Sequence, residues 1–185
     1  MKEVVKVKGN TILSFCNICI NLKYIARPDL LNVINEVNDP NGWYSFSILS
    51  KLFNLIEKTY EKHEIIFELI GMETMRLWYE NGEGAKKIKK GVDFLRYQTG
   101  SEGYWSMVQG PKNEIGEFIL KELNESENEG FAILNDTSPF HHSFVKGILQ
   151  SGMKGGGDLM WIDIQYSKET REFFVMFKLK TGSDT

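Results

Sequence analysis

The sequence predicts an α+β fold of two layers, in which a helical N-terminal half packs against a four-stranded antiparallel sheet. Three observations predict it. Up to about residue 110 apolar residues recur every three or four positions, the spacing of a helix face. From residue 111 to 182 they alternate singly in four short runs, the spacing of a strand. One short helical stripe separates those runs into two pairs, so the C-terminal half reads hairpin, helix, hairpin. With 185 residues, 42% of them hydrophobic, the chain is long enough for one substantial core, and residues 1–185 are expected to form a single domain.

Thr11 to Leu22 is rich in β-branched residues and suits either a strand or a buried helix, with helix the preferred reading. After Pro28, Leu30, Leu31, Val33, Ile34 and Val37 have helical spacing, and the turn-forming run Asn38 to Gly42 ends that segment. Gly42-Trp43-Tyr44 then opens a long amphipathic helix whose stripe is Phe46, Leu49, Leu52, Phe53, Ile56 and Tyr60. Ile65 to Tyr79 is apolar on most sides, which predicts a helix packed by neighbours on more than one face. Asn81 to Gly84 breaks the chain. Ala85, Ile88, Val92 and Leu95 predict a further helix, with Lys86, Lys87, Lys89 and Lys90 on its solvated side.

In the second half, Phe118 to Leu123 and Phe131 to Leu134 read as a hairpin around the polar stretch 124–129. Asp136-Thr137-Ser138 offers cap oxygens and Pro139 suits a first helical turn, so the last helix is expected to run from there, with Phe140, Phe144 and Ile148 on its stripe, to Gly152. Beyond Gly155-Gly156-Gly157 a second hairpin is expected. Its inward residues would be Met160, Ile162, Ile164 and Tyr166 on one strand and Phe173, Val175, Phe177 and Leu179 on the other.

Composition excludes several functions. A formal net charge of −3, from 22 basic and 25 acidic side chains, provides no field for nucleic acid or an anionic membrane. No apolar run reaches the roughly 20 residues that span a bilayer, and no secretory leader is recognisable, so membrane insertion is not expected and a cytoplasmic location is. The two cysteines, Cys16 and Cys19, form a C-x-x-C, but apolar neighbours and the lack of a second pair point to buried structural thiols. Adjacent His141 and His142 project about 100° apart on a helix, which does not suit one metal ion. His63 reads as solvated. No hydrolase, metalloprotease or calcium-loop motif occurs, so neither a catalytic group nor a metal site is expected. The triple glycine precedes a strand and reads as a connector rather than a phosphate loop.

This order of elements resembles the H-NOX and TRAPP ligand-binding superfamily, which includes vinyl-reductase-type sensor domains. The local pieces that carry the resemblance are Gly42-Trp43-Tyr44, the Phe140-to-Gly152 helix with its Gly147, and the Trp161-Ile162-Asp163-Ile164 strand after a glycine-rich link. The resemblance implies a sensory or adaptor protein rather than an enzyme. In the haem-binding branch it implies a histidine on the helix before the first hairpin and a Tyr-x-Ser-x-Arg motif before the last helix. Residues 84–110 contain no histidine, and Asn135 to Pro139 lacks the tyrosine and arginine, so haem is not expected. The expected function is binding of a small apolar ligand in a pocket among the helices, with Trp43, Trp78, Phe94, Tyr104, Trp105 and His141 as candidate lining residues. The alternative is a homodimeric adaptor module with a fully packed core.

Overall fold

The computed structural model describes residues 4–126 and 129–180. Glu127 and Asn128, in the polar stretch of the first hairpin, and the segment 181–185 lie outside them.

The chain begins with β1 (Lys6–Lys8), α1 (Gly9–Asn21) and α2 (Arg27–Glu36), so Thr11 to Leu22 resolves as helix. Its buried residues Ile12, Phe15, Cys16, Ile18 and Cys19 fall on the three-to-four spacing. Trp43 and Tyr44, expected at the start of a helix, instead form β2 (Trp43–Ser45). They pair antiparallel with Lys8 and Val7 of β1. Val7, fully buried at the centre of this ladder, supplies the packing that holds so short a strand. Ser45 then caps α3 (Phe46–Thr59), its hydroxyl accepting the Ser47 N–H at 3.3 Å.

The long helix α4 (His63–Glu80) is followed by α5 (Glu83–Lys87) and α6 (Gly91–Thr99). The single helix expected from Ala85 onwards is thus two, because the backbone is extended at Ile88 and Lys90. Two carboxylates hold the second start in place: Asp93 accepts the Lys90 N–H at 3.0 Å, and Asp158 accepts the Gly91 N–H at 2.8 Å. The four lysines of this region are all exposed. Next come α7 (Tyr104–Met107), β3 (Val108–Gln109) and α8 (Lys112–Ile115). β3 completes a three-stranded sheet in the order β2-β1-β3.

The C-terminal half comprises β4 (Phe118–Glu125), β5 (Glu129–Asp136), α9 (His142–Lys154), β6 (Leu159–Ser167) and β7 (Glu172–Leu179). Its sheet is four-stranded and antiparallel in the order β4-β5-β7-β6. The expected α+β architecture is therefore present, with two local differences. A register shift between Leu159 and Trp161 turns Met160 outward to 56% exposure. The last helix starts three residues after Pro139, because Asp136 accepts the Ser138 N–H at 2.9 Å in a local turn. The cap is His141, whose Nδ1 accepts the Ser143 N–H at 3.2 Å.

The most extensive helix–helix contact is α4 on α9. It depends on two glycines: a methyl group at Gly71 would lie 2.2 Å from the Phe144 carbonyl oxygen, and one at Gly147 would lie 2.0 Å from that of Glu68. On its other side α9, with α6, covers the inner sheet face of Phe118, Ala132, Leu134, Ile164, Phe173, Val175 and Phe177, and buried residues of both halves merge into one core. Among the described residues no helix is long and apolar enough to cross a membrane.

Candidate functional site

Packing among α1, α4, α6, α7 and α9 leaves a cavity of about 310 Å³. Phe15 and Ile18 of α1, Met75 and Trp78 of α4, Phe94, Tyr97 and Gln98 of α6, Tyr104 of α7 and Phe144 and Ile148 of α9 form its walls, with Phe118 and Phe140 at the sheet side. Asn10, Ser14, Asn81 and Glu102 are exposed and mark its mouth. The walls are dominated by aromatic faces: Trp78 stacks on Tyr97 at 5.3 Å between centroids, and Trp78 meets Phe94 edge-on at 6.3 Å. Gly152 allows that arrangement, since a methyl group there would lie 2.1 Å from the Phe94 ring.

Three of the six candidate lining residues, Trp78, Phe94 and Tyr104, come together on this cavity. The other three lie elsewhere. Trp43 is on β2 with the Lys8 ammonium 4.4 Å from its ring centroid, Trp105 leans out from Tyr104 at 38% exposure, and His141 stacks on Phe67 at 4.1 Å. Aromatic character alone does not reveal which side of an element a ring occupies. Phe140, Phe144 and Ile148, expected on the stripe of the last helix, also reach the cavity, and so do Tyr97 and Gln98, which stand three and four positions after Phe94, the spacing of one helix face.

Of the polar side chains in the lining, Asn10, Ser14, Asn81, Glu102 and Ser106 are exposed, Thr11 and Thr74 are half-buried, and Gln98 and Ser138 are buried. Gln98 is 94% buried by its 6% relative exposure, and its side-chain amide makes no hydrogen bond among the described residues. Ser138 is equally buried; its Oγ lies near Asp136 but has no partner with bonding geometry among those residues. Burial pushes the Asp136 carboxyl up to about 6, against the lowering pull of Ser138 and Arg171. Tyr104 donates its hydroxyl proton to the Ile115 carbonyl, and burial raises its pKa well above the usual phenol range. Among the described residues Glu102 is the one charged lining residue, and Lys87 holds it at 2.6 Å.

All three histidines gather outside the cavity, at the α4–α9 junction. His63, expected to be solvated, is half-buried with its Nδ1 3.2 Å from the Tyr60 carbonyl and its ring 6.1 Å from His141. His142 stacks between His141 and Tyr166, with Nε2 3.6 Å from Glu64. Burial, then the neighbouring His142 and His63, pull His141 down to about 4. Among the described residues no group of three His, Cys, Asp or Glu is arranged to hold a metal ion. Cys16 and Cys19 are both fully buried; desolvation pushes Cys16 up to about 11 and Cys19 higher, which suppresses the reactive thiolate.

A helical layer, a four-stranded sheet interrupted by one helix and a cavity among the helices define the class. Within it the chain has an H-NOX-like fold. It is similar to the unliganded Fe(II) H-NOX protein from K. algicida, with a TM-score of 0.64 and 15% identity over 95% of this chain and 98% of that one. A mutant of that protein gives 0.65 and 16% over 96% and 100%. An oxygen-binding H-NOX domain related to soluble guanylate cyclases, in its oxygen complex, gives 0.65 and 14% over 94% and 95%. No protein-family profile matches the sequence, and no curated protein sequence does either.

The cavity's residues do not fit a haem of the kind those neighbours imply. Haem iron takes His, Cys, Tyr or a Met/His pair, and its propionates need cations or donors. Among the described residues the lining contains no His and no Cys; Met75 and Met107 offer thioethers without a histidine to complete the pair, and Tyr104 is engaged and held protonated. It also contains no Lys or Arg. Arg96 of α6 is turned outward to Asp93 and Glu125.

Proposed function

We propose that this chain is a non-enzymatic sensory domain that binds a small, largely apolar molecule, other than haem, in the cavity between α1, α4, α6 and α9. The observation that carries this reading is the lining itself: aromatic walls around about 310 Å³, without the histidine and cations that a haem of the H-NOX neighbours would require. An apolar ligand entering it gains about 25 cal/mol for each Å² of apolar surface removed from water, and needs few polar contacts to be oriented. The H-NOX-like fold supports a sensory role, since its neighbours include an oxygen-binding domain related to soluble guanylate cyclases.

Native and denaturing mass spectra of freshly purified protein, with a visible absorption spectrum, test this. Extra mass present only in the native spectrum, without a haem absorption band, is the expected outcome. A stoichiometric haem band would overturn it.

A second reading, a homodimeric module, is favoured by the sheet's outer face. There Phe131, Ile133, Phe174 and Met176 form an apolar centre on the two middle strands, rimmed by Glu122, Gln165, Asp163, Glu172 and Lys178. Three strands of eight residues and one of nine cover about 19 by 27 Å, so a pair of such faces would bury roughly 1,000 Å², the lower bound for a specific interface. A two-fold axis across β7 at Val175 would set Lys178 of one copy against Glu172 of the other. The occupant we assign to this face is therefore a second copy. Dimer mass that collapses to monomer in the Phe174→Lys variant supports this reading, and a monomer at high micromolar concentration refutes it.

A further inference from the structure

We infer that the ligand of the cavity is a neutral, flat aromatic molecule of about a dozen heavy atoms, anchored by one hydrogen-bonding group on the Gln98 carboxamide. This rests on the proposal that the cavity is a binding site, and adds the chemistry of what it takes. Size comes from volume: an apolar cavity of about 150 Å³ accommodates benzene, and this one has about 310 Å³, room for a bicyclic ring system. Shape comes from the walls, where the stacked Trp78 and Tyr97 rings and the Phe94 ring present faces and edges to a flat guest.

Charge is set by what the lining omits. A carboxylate or phosphate would meet no Lys, Arg or His among the lining residues, and desolvating an unpaired anion is strongly unfavourable. A cation would find only Glu102, which stands at the solvent-exposed mouth and is held by Lys87 at 2.6 Å. Of the polar side chains of the lining, Gln98 and Ser138 are the buried ones, and Gln98 brings the carboxamide. It is 6% exposed, lines the cavity and has no hydrogen-bond partner among the described residues, so it presents both a donor and an acceptor toward the space. Buried polar groups are seldom left unpaired, and the one buried side-chain oxygen without a partner among the described residues, Ser138 Oγ, lies in the same lining.

Three probes of one shape separate these statements: naphthalene, 2-naphthol and 2-naphthoate, titrated at pH 7 into the full chain and its Gln98→Met variant by calorimetry or tryptophan fluorescence. The wild type is expected to bind 2-naphthol at least about 5-fold tighter than naphthalene and at least 10-fold tighter than 2-naphthoate. Gln98→Met is expected to erase the preference for naphthol, while naphthalene binding, which also reports that the variant is folded, stays within about 2-fold. If none of the three binds, the cavity is not a binding site and both proposals fall. If naphthalene and naphthol bind alike, or their ratio survives Gln98→Met, the anchor is wrong while the binding site stands. Tighter binding of naphthoate overturns the neutral class alone.

Discussion

Gly147 and Gly71 show how much of this architecture depends on single residues. Each stands where one helix backbone approaches the other too closely for a side chain, with a methyl group at Gly147 placed 2.0 Å from the Glu68 carbonyl oxygen. Backbone cannot swing aside as a flexible side chain does, so Gly147→Ala has to push α4 and α9 apart. It is expected to lower the unfolding free energy by about 3 kcal/mol, with an unchanged urea dependence, whereas Gly82→Ala meets no neighbouring atom and answers only to its positive φ. At this scale the sequence was legible in part. Trp78, Phe94 and Tyr104 were readable as apolar surface, and all three reach the cavity. Trp43 and Trp105 have the same chemistry and do not, because their side of the fold is decided by β2 pairing with β1 and by the turn into α7. Gln98 was not legible at all: a glutamine on a helix stripe looks like the polar edge of that stripe until its burial is known.

Elements were read well wherever their period ran long enough to be counted. The stripe of α3, the long run of α4 that is apolar on most sides and the strict alternation along β7 span eight residues or more, enough to define the two layers. The strands β1, β2 and β3 have three, three and two residues and no period to detect; pairing, not local sequence, creates them. The division between α5 and α6 escaped because Ile88 continues the spacing towards Val92, while the reason for the break, the Asp158 carboxylate on the Gly91 N–H, lies 67 residues away in sequence. Helix starts are also where local chemistry has a measurable effect. Ser45→Ala removes the side-chain acceptor for Ser47 at the head of α3 and is expected to reduce stability by about 1 kcal/mol in thermal or denaturant unfolding. Ser45→Asp retains an acceptor and should recover most of that loss; an equal loss in both variants would place the effect elsewhere than the cap.

For the molecule as a whole, acid response is set where β5 hands over to α9. Asp136 ends the strand and His141 caps the helix, and burial shifts the two in opposite directions. His141 titrates near 4 when folded against 6.5 when free, so the unfolded chain binds more protons and stability is lost as pH falls from about 6.5 to 4. Protonation also takes the Nδ1 lone pair from the Ser143 N–H, and His142, lowered chiefly by its own burial, adds to the same loss. Asp136 titrates near 6 when folded against 3.8 when free, so its contribution is full below 3.8 and disappears as pH rises through 6. Around His141 stand Glu57, His63, Glu64 and His142, and Lys168 reaches Glu64, so this balance is local to one end of α9. Between pH 4 and 6 the two responses largely offset each other. Asp136→Asn keeps an acceptor for the Ser138 N–H but removes the titration, and should expose His141 together with His142: at least about 2 kcal/mol lost between pH 6.5 and 4.5, allowing for partial solvation. His141→Asn keeps a cap and removes the other side, so its stability should hold or rise over the same interval. Urea unfolding of the three proteins at the two pH values measures this directly, and parallel profiles for all three would show that neither group governs the acid response.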